Sequence, residues 1–87
     1  MRVVAGSARG KKLSVVPGHG TRPILDRVKT SLFDVLRPRM PGMDMLDLFA
    51  GSGSVGIEAL SQGAASCTFI DCGDKAIATI RKNLALT

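Results

Sequence analysis

The chain has 87 residues, 45% of them apolar, and its twelve Lys or Arg against seven Asp or Glu give a formal net charge of +5. This length allows one domain at most, and the apolar content argues against a disordered chain. Three Phe and no Trp or Tyr leave almost no aromatic surface for stacking single-stranded nucleic-acid bases. No apolar run is long enough for a membrane span and no charged-then-apolar leader is present, so we expect neither a span nor a signal peptide.

The positive charge is concentrated in the first half of the chain. Residues 1–39 contain nine basic and two acidic residues, a net charge of +7, whereas residues 40–87 have a net charge of −2. Such asymmetry indicates a polyanion, nucleic acid in particular, as the partner of the basic half. The alternative is a solvated basic surface without a partner.

The N-terminus predicts a β-hairpin. Residues 3–5 and the apolar residues of segment 13–16 would form two short strands that pair across a turn at residues 7–10. A Pro-Gly-containing loop follows, so the hairpin unit extends over residues 1–20. Three basic residues lie at or beside its tip: Arg9, Lys11 and Lys12.

The next predicted element is a helix that begins at Thr21-Arg22-Pro23 and ends at Arg37-Pro38. Apolar residues at helical spacing predict its inner face, and they are Leu25, Val28, Leu32, Val35 and Leu36. The charged residues outside that face are Arg27, Lys29 and Asp34.

The rest of the chain alternates between strands and helices. Residues 45–49 predict a strand that is covered on both faces, and residues 53–62 a helix that ends at a left-handed Gly63. Residues 67–70 predict a second strand, which ends at Asp71. Asp74 is the predicted N-cap of a last helix to about Leu84, with an inner face of Ile77, Ile80 and Leu84. This order predicts an α/β fold with a parallel sheet, preceded by a hairpin and a helix.

The two cysteines do not indicate a metal site. Cys67 and Cys72 are five residues apart, which matches no zinc motif, and the only histidine, His19, is distant in sequence. We expect reduced thiols in a cytoplasmic protein.

A glycine-rich segment follows the first central strand. Gly51, Gly53 and Gly56 match the pattern G-x-G-x-x-G, which lets the backbone turn sharply and lets a ligand lie on main-chain N–H groups at a helix start. Asp47 precedes this loop and Asp71 ends the next strand. Because ligands of open parallel sheets bind at the carboxyl ends of strands, these residues predict a nucleoside-cofactor site. The alternatives are a tight turn without a ligand, a loop-capping role for Asp47 and a plain strand-end role for Asp71.

The acids also indicate the kind of nucleoside. A dinucleotide would place its pyrophosphate over the helix N-terminus, where a carboxylate as near as Asp47 would repel it. The same carboxylate would attract an ammonium group, and Asp71 suits a ribose diol. Phe49 offers a flat apolar face. S-adenosylmethionine, with adenosine at one end and an amino acid at the other, satisfies these conditions.

Several segments along the chain together match the pattern of a known family. They are Met1-Arg2-Val3-Val4-Ala5-Gly6, Arg9-Gly10-Lys11-Lys12-Leu13, Thr21-Arg22-Pro23, Asp26-Arg27-Val28, Leu46-Asp47-Leu48-Phe49-Ala50-Gly51-Ser52-Gly53, Gly56-x-Glu58-Ala59-Leu60 and Gly63-Ala64. With these segments the chain resembles the RsmD family of bacterial methyltransferases, which modify the exocyclic N2 amine of a guanine in small-subunit ribosomal RNA. The resemblance covers residues 1–86.

The resemblance implies a partial Rossmann-like methyltransferase fold with S-adenosylmethionine as the methyl donor. It implies that the loop Ala50-Gly51-Ser52-Gly53 passes under the methionine part of the cofactor, with Asp47 near its amino group and Asp71 on its ribose. Phe49 would line the pocket, and Thr21 and Arg22 would close the site from the N-terminal side. Ribosomal RNA would be held by Arg2, Arg9, Lys11, Lys12 and Arg27.

One departure from the family pattern concerns the acceptor amine. The family grips it with Asp or Asn, then Pro-Pro, then an aromatic residue, whereas all four prolines of this chain precede the glycine loop. We therefore expect no catalytic residue in this chain, and interpret Glu58 as a packing or capping residue. We also expect residues 21–87 to be the front half of a methyltransferase domain that is inactive by itself, and its exposed strand edge predicts self-association or low stability. The alternatives are a fragment of an NAD(P)-dependent oxidoreductase and a non-catalytic RNA-binding module.

Overall fold

The computed structural model describes residues 1–17, 26–48, 50–71 and 73–87. These residues form three α-helices, a short 3-10 helix and two strands, in the α/β order that the sequence predicts. In chain order they are α1 (Asp26–Leu36), the 3-10 helix (Arg37–Arg39), β1 (Asp44–Leu48), α2 (Ser54–Ser61), β2 (Ser66–Ile70) and α3 (Asp74–Leu86). The predicted start of the first helix at residues 21–23 lies outside the described residues.

The two strands form a parallel pair with α2 as the crossover. Their register runs from Asp44 opposite Ser66 to Leu48 opposite Ile70, and the N–H of Ala50 donates to the carbonyl of Ile70 at 2.9 Å just beyond it. A parallel pair brings both carboxyl ends to the same edge of the sheet. The glycine loop therefore lies beside the end of β2.

Among the described residues, α2 covers one face of this sheet. The other face exposes Leu46 and Leu48, each more than half accessible to solvent, and also Ile70. The prediction of a strand covered on both faces is therefore wrong for this part of the chain. The sheet contains two strands, so each has an edge without a strand partner among the described residues.

The N-terminal hairpin is shorter than predicted and pairs differently. Among the described residues, one antiparallel bridge joins Arg2 and Lys12. Hydrogen bonds from Val3 N–H to the Lys11 carbonyl and from Leu13 N–H to the Met1 carbonyl, both 3.0 Å, flank it. The pairing of residues 3–5 with segment 13–16 is wrong. The backbone N–H groups of residues 4 and 5 are instead directed to a side chain of α2, which is described below.

Helix α1 buries a different face from the predicted one. Lys29 and Phe33 are fully buried, whereas Val28, Leu32 and Val35 are exposed, Val35 to 76%. Phe33 packs with Met40 and Ala59 in a small apolar cluster, and Leu36 of the predicted face is partly buried against it. The prediction that Lys29 lies outside the inner face is therefore wrong. This lysine is buried because it has an anionic partner that is also buried. Leu25 lies outside the described residues.

Helix α3 also buries polar side chains. Its buried residues are Ala76, Thr79, Ile80 and Asn83, so Ile80 confirms the predicted inner face whereas Ile77 and Leu84, each 38% exposed, do not. The N-cap is Gly73, in an extended conformation and without a side-chain cap. The prediction of Asp74 as the N-cap is wrong by one residue, since Asp74 is the first residue of the helix.

Helix α2 ends as predicted at Gly63, which has a φ of 115°. The N–H groups of Gly63 and Ala64 donate to the carbonyls of Leu60 at 3.3 Å and Ala59 at 3.0 Å. This pair of bonds is the Schellman pattern that satisfies the last carbonyls of a helix. The hairpin packs on α2 through a second cluster, formed by Val3, Ala8, Leu13 and Ile57. No helix in the described part of the chain has the length and apolar character needed to cross a membrane.

Candidate functional site

The glycine loop joins the end of β1 to the start of α2. Gly51 and Gly53 have φ angles of 60° and 83°, a left-handed conformation that glycine adopts without steric cost. Gly53 is the N-cap of α2, and its N–H donates to the Ala50 carbonyl at 2.9 Å. The loop thus turns the chain sharply enough to present the first turn of α2 at the carboxyl edge of the sheet.

Asp71 ties the end of β2 to this loop. Its Oδ2 accepts a hydrogen bond from Gly51 N–H and its Oδ1 one from Gly73 N–H, both at 3.0 Å. The structure brings the predicted ribose-binding residue against the predicted cofactor loop.

Asp47, at the end of β1, is directed toward α2. Its Oδ2 accepts from the N–H of Gly56, the third residue of the helix, at 3.1 Å. Asp47 therefore accepts the hydrogen bond that an N-cap side chain would accept from the first turn of α2, because the N-cap residue, Gly53, has no side chain. Burial raises the pKa of Asp47 above its ordinary value, and the charge of Asp71 raises it further, against the opposing effect of the Gly56 hydrogen bond.

The raised pKa predicts how replacement of Asp47 changes stability. A group with a raised pKa in the folded state stabilises the fold below its ordinary pKa of about 3.9, and that contribution is lost as the pH rises through the raised value. Ionised Asp47 is therefore unfavourable at pH 7, whereas Asn can accept the Gly56 hydrogen bond without a charge. We expect Asp47→Asn to melt at the same or a higher temperature than the wild type at pH 7, with any advantage disappearing toward pH 3. A lower melting temperature of the variant at pH 7 in thermal unfolding scans would contradict this.

The third glycine of the pattern serves packing. A Cβ built at Gly56 would lie 2.6 Å from Cys67 Sγ and would overlap the ring of Phe69. Because residue 56 has no side chain, the backbone of helix α2 can lie in contact with the Cys67 and Phe69 side chains of β2. This is the packing role that the third glycine of such loops commonly has.

A buried ion pair lies beside the loop, and sequence analysis did not find it. Lys29 Nζ lies 3.2 Å from Glu58 Oε1, with both side chains fully buried. The ammonium group also donates to the Arg2 carbonyl and, at 2.9 Å, to the hydroxyl of Ser54, the first residue of α2. Lys29 precedes Phe33 by four residues, a spacing that places both on one face of α1. The sequence has more apolar residues on another face of this helix, so that face was the one predicted to be buried.

Glu58 joins this ion pair to the hairpin. Its two carboxylate oxygens accept from Val4 N–H at 2.8 Å and Ala5 N–H at 3.0 Å, and Gln62 Nε2 donates to the second oxygen at 2.7 Å. The interpretation of Glu58 as a packing or capping residue is therefore correct in kind. The backbone segment that it caps, residues 4 and 5, is distant in sequence and belongs to the hairpin.

The basic side chains of the hairpin are on its surface. Arg2, Arg9, Lys11 and Lys12 are exposed, as is Arg27 on α1. Within this set Arg2 Nε forms an exposed ion pair with Asp26 at 3.0 Å. Bonds of Ser61 to residues 5, 7 and 8 fix the hairpin turn to the end of α2, so these charges are held on one framework with the glycine loop.

Of the remaining predicted site residues, two lie in the described part of the loop and three lie outside the described residues. Ala50 extends the strand pairing, and Ser52 is buried, with its hydroxyl 3.5 Å from Met1 Sδ. Thr21, Arg22 and Phe49 lie outside the described residues. Their predicted contacts with the cofactor stay predictions.

Comparison with known proteins gives consistent matches over the whole chain. The family described as conserved hypothetical protein 95 matches residues 1–87. The chain is 51% identical over 84 residues to YlbH of Bacillus subtilis, described as a proposed rRNA methyltransferase, and covers 46% of its length. It is 48% identical over 85 residues to the ribosomal RNA small subunit methyltransferase D of Haemophilus influenzae, and covers 44% of that protein. These alignments include 97% of the present chain in both cases.

A solved structure agrees with these sequence matches. The Escherichia coli protein yhhF, described as a proposed methyltransferase, superimposes with a TM-score of 0.85 at 44% identity, over 98% of this chain and 46% of that one. The superposition confirms the predicted fold class, a partial Rossmann-like α/β fold of the methyltransferase type. The chain spans less than half the length of each of these three proteins.

Proposed function

The chain belongs to the family described as conserved hypothetical protein 95, the RsmD family, and from this membership we propose that it supplies the methyl-donor half of an RNA methyltransferase site. In this proposal the glycine loop binds S-adenosylmethionine and the basic hairpin binds small-subunit ribosomal RNA. The reaction is methylation of the N2 amine of a guanine. The names of the relatives support methylation of ribosomal RNA, while the guanine, the amine and the cofactor are inferred from the resemblance and the site.

The observation that carries the proposal is the convergence of two carboxylates on one glycine loop. Asp71 bonds to the Gly51 N–H and Asp47 to the first turn of α2. This pair of carboxylate acceptors fits a ligand that carries a diol at one end and an ammonium group at the other. Asp71 would accept hydrogen bonds from the ribose hydroxyls, and Asp47 would lie near the ammonium group, where a cation offsets its unfavourable burial.

The bound cofactor would supply the sulfonium methyl group. The residues of this chain would bind and orient it, with Gly51 and Gly53 under its methionine part and Phe49 against an apolar surface. The motif with which the family holds the acceptor amine is not in this sequence. We therefore assign donor binding and RNA contact to this chain, and no proton-transfer step.

A nicotinamide dinucleotide is the competing ligand, and electrostatics disfavours it. Its pyrophosphate would lie at the start of α2, where the Asp47 carboxylate already occupies the N–H of Gly56. Two negative groups at the same helix start would repel each other in a partly buried site. The same carboxylate would stabilise the amino-acid end of S-adenosylmethionine.

The proposal predicts that cofactor binding and RNA binding can be separated by mutation. We expect Asp71→Ala to abolish measurable binding of S-adenosylhomocysteine and to leave RNA affinity within about twofold, because the phosphate contacts are elsewhere. Asp74→Ala is the matched control, since it removes an exposed acid three residues away. Calorimetry measures the first affinity and filter binding the second.

The converse variant is the double replacement Lys11→Ala and Lys12→Ala. It should leave S-adenosylhomocysteine affinity unchanged and lower the salt dependence of RNA binding, with the slope of log K against log[salt] smaller by about 1–2. The double replacement Arg37→Ala and Arg39→Ala removes the same charge from the 3-10 helix and should not change the slope. RNA binding that survives with unchanged slope in both double variants would overturn the assignment of the hairpin. Cofactor binding that survives Asp71→Ala would overturn that of the loop.

A further inference from the structure

We propose that Asn83 of α3 is a positioning residue that fixes the glycine loop in its ligand-binding conformation and sets the basic hairpin against it. This inference rests on the proposed function, since it concerns the same cofactor loop. The Asn83 side chain is fully buried, and within the described residues its hydrogen bonds go to the backbone of two other segments. Its Oδ1 accepts from Ser14 N–H at 2.7 Å, and its Nδ2 donates to the carbonyls of Ser14 and Ser52, both at 2.9 Å.

The bond to Ser52 acts on the part of the loop whose geometry is most restricted. Ser52 lies between the two positive-φ glycines of the loop. The peptide unit that joins Ser52 to Gly53 is held at both polar atoms, since its carbonyl accepts from Asn83 and its N–H donates to the Ala50 carbonyl. Rotation of this peptide would change the path of the backbone under a bound ligand. Asn83 therefore determines a backbone orientation that the glycines by themselves leave open.

The two bonds to Ser14 act on the hairpin. Ser14 follows Lys12 by two residues, and its N–H and carbonyl both bond to Asn83, an arrangement that resembles a short piece of strand pairing. The basic residues 11 and 12 are thereby held at a defined distance from the loop. One side chain thus links the proposed RNA-contact segment to the proposed cofactor segment.

The chemistry of the amide is specific at this position. Two carbonyl oxygens face Nδ2 and one N–H faces Oδ1, so only a side chain with two donors and one acceptor satisfies all three groups. Asp has the same shape but, when ionised, would place an oxygen against two carbonyls. A protonated Asp would restore one donor. An Asp at this position should therefore support the loop better at acid pH than at neutral pH.

The test is calorimetric titration of S-adenosylhomocysteine into the wild-type chain, Asn83→Asp and Ala85→Asp, at pH 7 and pH 5.5, below the melting temperature of each. Ala85→Asp adds a carboxylate to an exposed position of the same helix. We expect Asn83→Asp to weaken affinity about tenfold or more at pH 7, in line with the loss of hydrogen bonds to a buried carbonyl. The ratio of wild-type to Asn83→Asp affinity should decrease at pH 5.5, and Ala85→Asp should match the wild type at both pH values.

Equal affinity of folded Asn83→Asp and the wild type at pH 7 would overturn the inference and leave the proposed function intact. A deficit that does not change between the two pH values would also overturn it, because that result indicates a general loss of structure. A wild-type chain that is folded and does not bind S-adenosylhomocysteine would overturn the proposed function, and this inference with it. If Asn83→Asp does not fold, Asn83→Ala gives the pH 7 comparison without a buried charge.

Discussion

Replacement of Lys29 by Met should lower the free energy of unfolding by about 3–5 kcal/mol, because it leaves the carboxylate of Glu58 buried without its cation. Both side chains are fully buried and lie 3.2 Å apart. The loss should be much smaller in the double variant Lys29→Met and Glu58→Gln, which buries no net charge. Urea denaturation of the two single variants and the double variant measures the coupling between the residues.

An exposed ion pair between the end of α1 and the 3-10 helix offers a matched control. Arg37 and Asp34 form an ion pair at 3.1 Å with both side chains 58% exposed, and exposed pairs of this kind contribute about 0–1 kcal/mol. Arg37→Met should therefore change the free energy of unfolding by less than about 1 kcal/mol. If Lys29→Met has no larger effect than Arg37→Met, the buried pair does not hold α1, α2 and the hairpin together.

Replacement of Gly6 by Ala should destabilise the chain by about 2–4 kcal/mol. Its φ is 88°, which costs an L-residue about 1 kcal/mol, and a Cβ there would overlap the backbone carbonyl of Ser61 at the end of α2. A clash with backbone cannot be relieved by a side-chain rotation, so the hairpin turn would have to move away from α2. The N–H of Ser7, which donates to that carbonyl at 2.8 Å, should then exchange faster with solvent.

Replacement of Gly10 by Ala is the matched control, because it has the conformational cost of a positive φ without the steric clash. Its φ of 85° is nearly the same, but a Cβ there would meet nothing within 4 Å. Gly10→Ala should therefore cost only about 1 kcal/mol. Equal losses for the two variants in urea denaturation would mean that close contact between the turn and α2 does not contribute to stability.

The central part of the fold could be predicted because its signals are local. The apolar runs of β1 and β2, the glycines between them and the cap at Gly63 are patterns within about twenty residues, and the structure has these elements at the predicted places. Asp47 and Asp71 follow from the rule that parallel strands end at one edge. The structure shows that Asp71 bonds to loop backbone and that Asp47 bonds to the first turn of α2. The ligand role of both acids stays a prediction.

Apolar spacing predicted the inner faces of α1 and α3 only in part, at Leu36 and Ile80. Lys29 and Asn83 are buried because each meets polar groups that are distant in sequence, Glu58 for the lysine and Ser14 for the amide, 69 residues away. A helical pattern of apolar residues contains no information on such partners. The same holds for the hairpin register, since residues 4 and 5 bond to Glu58 instead of extending the pairing.

The most direct test of the account is a pair of calorimetric titrations of the wild-type chain, one with S-adenosylhomocysteine and one with NAD. A glycine loop with carboxylates on both sides should bind S-adenosylhomocysteine at one site per chain and should not bind NAD measurably. Binding of NAD without binding of S-adenosylhomocysteine would contradict the assignment of this loop to a methyl donor.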